Sequence, residues 1–98
     1  MYTIKSHPEF TAWFNRLKDR TVQRRLLVRL RKVALGNLGD VKAVGGGVFE
    51  MREHFGAGWR MYYVQHGQLV VVMLGGGNKS TQSADVAHAI KLVATLEE

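Results

Sequence analysis

The apolar positions of this chain begin in a helical rhythm. Phe10, Trp13, Phe14 and Leu17 fall at i, i+3, i+4 and i+7, the inward stripe of a short helix. Ser6 and Glu9 have capping-box spacing ahead of it, and Pro8 suits its first turn. Lys18-Asp19-Arg20-Thr21 breaks the rhythm. Thr21 is the expected cap of a second helix whose inner stripe is Val22, Leu26, Leu30 and Val33, with Leu27 and Ala34 beside it. Gly36 and Gly39 stop that helix. The two helices should form a hairpin with one shared apolar face. Ahead of them, Tyr2 to Lys5 alternates weakly and reads as a short edge strand.

From Val48 the period becomes two. Val48, Glu50 and Arg52 point to one side, Phe49 and Met51 to the other. Gly56-Ala57-Gly58 makes a turn, after which Arg60, Tyr62 and Val64 alternate with Trp59, Met61 and Tyr63. His66-Gly67 fits a tight hairpin turn. Leu69 to Leu74 is apolar without alternation, so it predicts a strand buried on both faces. Gly75, Gly76 and Gly77 read as a flexible turn into a last helix, with Val86, Ile90, Val93 and Ala94 or Leu96 as its stripe. Val41 to Gly47 is a glycine-rich loop with room for a short pairing segment. The sum is one α+β domain over residues 1–98: strand, two-helix hairpin, three-stranded antiparallel meander, C-terminal helix.

Composition narrows the chemistry. With 98 residues, 46% of them hydrophobic, the chain can fill one modest core. Cysteine is absent, which excludes a disulfide frame, a thiol nucleophile and a cysteine metal site, and fits a reducing cytoplasm. His7, His54, His66 and His88 have no ligand spacing, so neither a metal nor another cofactor is expected. The first residues, Met1-Tyr2-Thr3-Ile4-Lys5, lack the apolar core of a signal peptide, and no apolar run is long enough to span a bilayer. A cytoplasmic location and no membrane partner are expected.

Charge changes the picture more. The formal net charge is +6 and the pI is about 10.1. Arg16, Lys18, Arg20, Arg24, Arg25, Arg29, Arg31 and Lys32 crowd one segment, with Asp19 the single acid among them. Arg25, Arg29 and Lys32 share one face of the second helix by its periodicity. Such density suits a phosphate backbone, and Arg24, Arg25, Arg29 and Lys32 are candidate RNA contacts.

The meander adds a second cationic cluster. Arg52 and Arg60 lie on neighbouring strands, and the following strand delivers Lys79. The three can surround one phosphate, with Tyr62 placed to stack on a base or pass a proton. The same residues also fit a solvated sheet face on which Glu50 pairs with an arginine. Tyr62 and Lys79 on the same side favour a site. His54 is near enough in sequence to serve as an auxiliary acid or base. Gly75 to Thr81 only superficially resembles a nucleotide P-loop. Asn78 stands where that loop needs glycine before the lysine, and Met73 takes the first glycine position. ATP or GTP hydrolysis is excluded, and Ser80 and Thr81 become further RNA-contact candidates.

Three blocks carry a family resemblance over essentially the whole chain. They are Val48-Phe49-Glu50-Met51-Arg52, Gly58-Trp59-Arg60-Met61-Tyr62-Tyr63, and Leu74-Gly75-Gly76-Gly77-Asn78-Lys79-Ser80-Thr81-Gln82 with Asp85 and Ala89-Ile90 beyond. The chain resembles toxins of the RelE/ParE superfamily of bacterial toxin–antitoxin modules, most of all the HigB-related "addiction module killer protein" branch. The resemblance implies a RelE-like fold and a ribosome-dependent, metal-independent endoribonuclease that cuts mRNA. In that chemistry the RNA 2′-hydroxyl attacks the adjacent phosphate, leaving a cyclic phosphate and a free 5′-hydroxyl. Arg52, Arg60, Tyr62 and Lys79 match the family's working positions. Several family nucleases carry a tyrosine or histidine near the C-terminal end; residues Ala94-Thr95-Leu96-Glu97-Glu98 include neither, which leaves the general base unassigned. The implied partners are the ribosome with its mRNA and a helix-turn-helix antitoxin. Some relatives poison DNA gyrase without being enzymes, so a gyrase inhibitor and a plain RNA-binding module stay as alternatives.

Overall fold

A computed structural model describes residues 1–96; Glu97 and Glu98, the end of the C-terminal stretch noted above, lie outside the described residues. The elements are β1 (Thr3–Ser6), α1 (Pro8–Arg16), α2 (Arg20–Ala34), β2 (Val41–Gly45), β3 (Val48–Glu53), β4 (Trp59–His66), β5 (Val70–Gly77), one 3-10 turn (Lys79–Thr81) and α3 (Gln82–Leu96). One five-stranded sheet has the order β1-β5-β4-β3-β2. Strands β2 to β5 form an antiparallel meander, and β1 joins the edge of β5 in parallel. The α+β plan therefore holds, with one strand more in the meander: the pairing segment within Val41 to Gly47 is Val41–Gly45, which pairs with β3.

The sheet carries a core on each face. Helices α1 and α2 bury Phe10, Val22, Leu26 and Val33 against Met51, Met61, Tyr63, Val71 and Met73. Helix α3 buries Ala89 and Leu92 against Val48, Tyr62, Val64 and Leu74. This explains why β5 does not alternate: Val71 and Met73 face one core, Val72 and Leu74 the other. The inner stripe of α3 centres on Ala89 and Leu92, with Val86, Ile90, Val93 and Leu96 at its margins.

Both helix caps differ from the sequence reading. His7, not Ser6, caps α1, its Nδ1 accepting from the Glu9 N–H at 3.1 Å. Ser6 is held in β1 opposite Met73. Asp19 caps α2, accepting from the N–H groups of Thr21 at 2.8 Å and Val22 at 3.4 Å. A carboxylate there also meets the positive end of the helix dipole.

The glycine run is a strand, not a turn. Gly75, Gly76 and Gly77 pair with Tyr62, Met61 and Arg60 as the end of β5. Close approach is the reason for glycine here. A Cβ on Gly76 would collide with the Trp13 indole, and one on Gly77 with the Asp85 carboxylate and the Thr81 hydroxyl. Because β1 stops opposite Met73, this end of β5 has a strand neighbour on one side only.

Candidate nucleic-acid interface

Arg52 and Arg60 sit directly across from each other on β3 and β4. Like charges in that register repel, so each needs an acid. Arg52 finds Asp40, whose Oδ1 accepts from its Nη2 at 2.9 Å and its Nε at 3.3 Å. The other oxygen of Asp40 lies 2.7 Å from Nε2 of His54. Hydrogen bonds from Arg52 and then from His54 hold the Asp40 carboxyl down at about 2. An anion is thus already seated between Arg52 and His54, where a phosphate oxygen would have to compete.

Arg60 is differently provided. Its Nη1 donates to the Gly58 carbonyl at 2.6 Å. Its Nε is 3.7 Å from Oε2 of Glu50, too far for a hydrogen bond, and has no other partner among the described residues. Glu50 is completely buried, and its Oε2 accepts from Nε2 of Gln82 at 2.9 Å. Its Oε1 and the Tyr62 hydroxyl are also without hydrogen bonds. Burial, and then the Glu50 carboxylate, push the Tyr62 hydroxyl well above its ordinary value. Arg60 Nε, Glu50 Oε1 and the Tyr62 hydroxyl thus form one buried polar cluster beside the sheet.

Lys79 opens the cluster to solvent. It is exposed, and its backbone N–H donates to the Ala57 carbonyl at 3.2 Å, which pins the 3-10 turn against the β3–β4 loop. Gly58 lies between Arg60 and Lys79 with φ +75°; a Cβ there would press on Nη1 of Arg60 and on Cβ of Lys79. The resulting cavity of about 250 Å³ is lined by His54, Gly56, Ala57, Gly58, Arg60 and Lys79. No carboxylate lines it.

The structure therefore brings Arg60, Lys79 and His54 together and keeps Arg52 beside them on Asp40. Tyr62 is the correction. The alternation put it on the same face as Arg60, but α3 covers that face, and Tyr62 is wholly buried with no ring surface for a base.

Arg29 is the second correction. Its side chain is buried, and all five N–H donors are used. Nε and Nη2 donate to the Leu38 carbonyl, Nη2 also to Asp40, and Nη1 to the Arg52 carbonyl and the Glu53 carboxylate. It cannot serve as an RNA contact. The signal was in the spacing: Val22, Leu26, Arg29 and Val33 fall at i, i+4, i+7 and i+11, which puts Arg29 on the inner stripe. Arg24, Arg25 and Lys32 remain exposed on α2 around a groove floored by Val28 and closed by Glu53. Arg25 lies 4.5 Å over the Phe55 ring, next in the chain to His54 of the cavity.

Ser80 and Thr81 are exposed beside Lys79. Asn78 caps their turn, its side-chain oxygen accepting from the Ser80 N–H at 2.9 Å, and the Thr81 hydroxyl donates to Asp85 at 2.5 Å. Among the described residues no cluster of acids and histidines could hold a metal, and no helix is long and apolar enough to cross a membrane.

Residues 12–96 match the family model described as phage derived protein Gp49-like. A chain from Haemophilus influenzae, named only as an uncharacterized protein, is 37% identical over 91 residues, covering 93% of this chain and 91% of that one.

Proposed function

Because this chain belongs to the phage-derived Gp49-like family, we propose that it is the toxin of a RelE-like toxin–antitoxin pair and acts by cutting RNA. The finer placement is the RelE/ParE superfamily, in its HigB-related branch, with mRNA on the ribosome as substrate. The observation that carries this reading is the cavity at Arg60 and Lys79. Two cations and a histidine line it, no acid does, and it adjoins a cationic helix. Such a surface recognises a phosphodiester with the chain running past it.

The chemistry follows from what the residues can do. A 2′-hydroxyl loses its proton and its oxygen bonds to the adjacent phosphorus. The phosphorus–5′-oxygen bond breaks, and the 5′-oxygen takes a proton. Between these events the phosphorus carries extra negative charge. Arg60 lines the cavity with an Nη2 group that makes no hydrogen bond among the described residues and can meet that charge, and Lys79 adds a mobile donor. Arg52 joins by exchanging Asp40 for a phosphate oxygen. His54, oriented by the same Asp40, is the side-chain type that moves protons near neutral pH. Tyr62 has no contact with substrate in this scheme. The antitoxin would be a helix-turn-helix protein with an acidic segment that covers the cations of α2 and the cavity.

Induced expression with mapping of mRNA 5′ ends tests the reading. The wild-type chain is expected to give new ends on ribosome-bound mRNA, and Arg60→Ala with Lys79→Ala to give none while still folding. Growth arrest by the double variant with intact mRNA would sink it, and trapped DNA breaks in such cells would point to gyrase instead.

A further inference from the structure

On the far side of the Asn78–Lys79 ridge lies a groove that the phosphate site leaves unused. Along it runs the glycine end of β5, which has lost its β1 neighbour and lies close against the Trp13 indole and the Asp85 carboxylate. Trp13 and Trp59 stand over it, ring centres 6.5 Å apart and inclined at 54°. Both are only partly buried, whereas Phe10, Tyr62 and Tyr63 lie deep in the two cores. Two clefts of about 240 and 310 Å³ meet there and share Trp13, Arg16, Gly76 and Asp85.

The polar groups on its rim are complementary and available. Asp85 uses one oxygen, Oδ2, for the Thr81 hydroxyl, and its Oδ1 has no partner among the described residues. Arg16, in the last turn of α1, is exposed and forms no ion pair with Asp85 or another described acid. An aromatic wall, a free carboxylate oxygen and a free guanidinium along the unpaired edge of β5 describe a nucleobase pocket. Among the bases, guanine alone offers two adjacent N–H donors, at N1 and N2, to a carboxylate, and two acceptors, O6 and N7, to an arginine. Adenine lacks the N1 donor, and the pyrimidines present less surface to the indoles.

We propose that this groove is a guanine subsite, which reads a base next to the phosphate held at Arg60 and Lys79. Trp13 and Trp59 stack the base, Asp85 accepts from its N1 and N2 hydrogens, and Arg16 donates to O6 or N7. The proposal rests on the RNA-cutting reading for its biological use but not for its measurement. Nucleosides, which have no phosphate, probe the groove alone.

Titration of the whole chain with guanosine, inosine, adenosine, cytidine and uridine, followed by tryptophan fluorescence, is the test. Guanosine is expected to quench with a dissociation constant roughly fivefold or more below those of adenosine and the pyrimidines, the discrimination of one bidentate contact. Inosine, without the 2-amino group, should fall between. Asp85→Asn should reduce the guanosine preference to less than about twofold, with thermal unfolding confirming an intact fold. Trp59→Phe, which keeps an aromatic ring, should retain the preference. Arg60→Ala with Lys79→Ala should leave guanosine binding unchanged. Equal quenching by all nucleosides, no quenching, or an unaltered preference in Asp85→Asn would overturn the proposal. Guanosine binding without RNA cutting would overturn the nuclease reading instead.

Discussion

Arg29 on α2 and Arg60 on β4 have side chains 8% and 11% exposed, nearly the same depth. Around Arg29 every donor is spent on a carbonyl or carboxylate of the β2–β3 region. Around Arg60 one Nη donates to Gly58, Nε faces the Glu50 carboxylate at 3.7 Å without a hydrogen bond, and Nη2 is left for the cavity. A buried cation with all its bonds made is a fastener. One with bonds left over is held ready for a ligand that will complete them. Depth alone does not separate the two; the count of unspent donors does.

The contrast can be broken most directly at Arg29. Its removal leaves three carbonyls and Glu53 without their partner, and Arg29→Ala is expected to cost about 3 kcal/mol or more. For a domain of this size that lowers the melting temperature by at least about 12 °C. A melting temperature within a few degrees of wild type would show that the knot holds nothing. Arg60 should show the reverse. In Arg60→Ala, RNA cutting is expected to fall about 10²- to 10³-fold. Arg60→Lys, which keeps a cation beside the buried Glu50, should weaken cutting as well yet move thermal unfolding by less than about 4 °C. A large loss of stability with little loss of cutting would merge the two arginines into one class.

Tyr62→Phe sharpens the picture on the Arg60 side. It deletes a hydroxyl that has no partner, so urea unfolding should find the variant equal to wild type or up to about 1 kcal/mol more stable. Cutting should stay within about threefold, as expected of a group remote from the substrate. A tenfold loss would return Tyr62 to the reacting groups.

The smallest effect belongs to Asp40, which faces solvent. Its carboxyl titrates at about 2 in the folded chain against an ordinary 3.8. On acidification the unfolded chain takes the proton first, so stability falls as pH drops between those values. The contribution is complete above the ordinary value and gone near the folded one. Urea midpoints of wild type and Asp40→Asn should therefore differ at pH 5 and converge towards pH 2. A gap that persists at the acid end would mean that the Arg52–Asp40–His54 contact acts through something other than charge.

Much of this arrangement is written in local spacing. Alternation placed Arg52 and Arg60 on neighbouring strands, which pairing then sets opposite each other, and the unbroken run of β5 announced a strand covered twice. Arg29 was legible too, but its charge argued louder than its position in the Val22–Val33 stripe. What local pattern cannot carry is which element lies over which. Tyr62 is buried because α3 returns across β3 and β4, a packing fact with no trace in residues 59–66. Gly76 and Gly77 looked like a hinge because glycine loosens a chain locally. Their actual reason is an indole from α1 and a carboxylate from α3, far away in sequence. Asp40 gave no sign at all, being a single acid in a glycine-rich stretch until β2 pairs with β3 and brings it to Arg52.

The parallel pairing of β1 with β5 also sets an order of assembly. Thr3 has no sheet partner until Val70 has been made, and Trp13 has no floor until Gly76 follows. Contacts so distant along the chain form late and slowly. During synthesis the two arginine-bearing strands emerge well before the lysine and the helix that complete their setting. A growing chain accordingly cannot complete the Arg60–Lys79 cavity until most of it has been made.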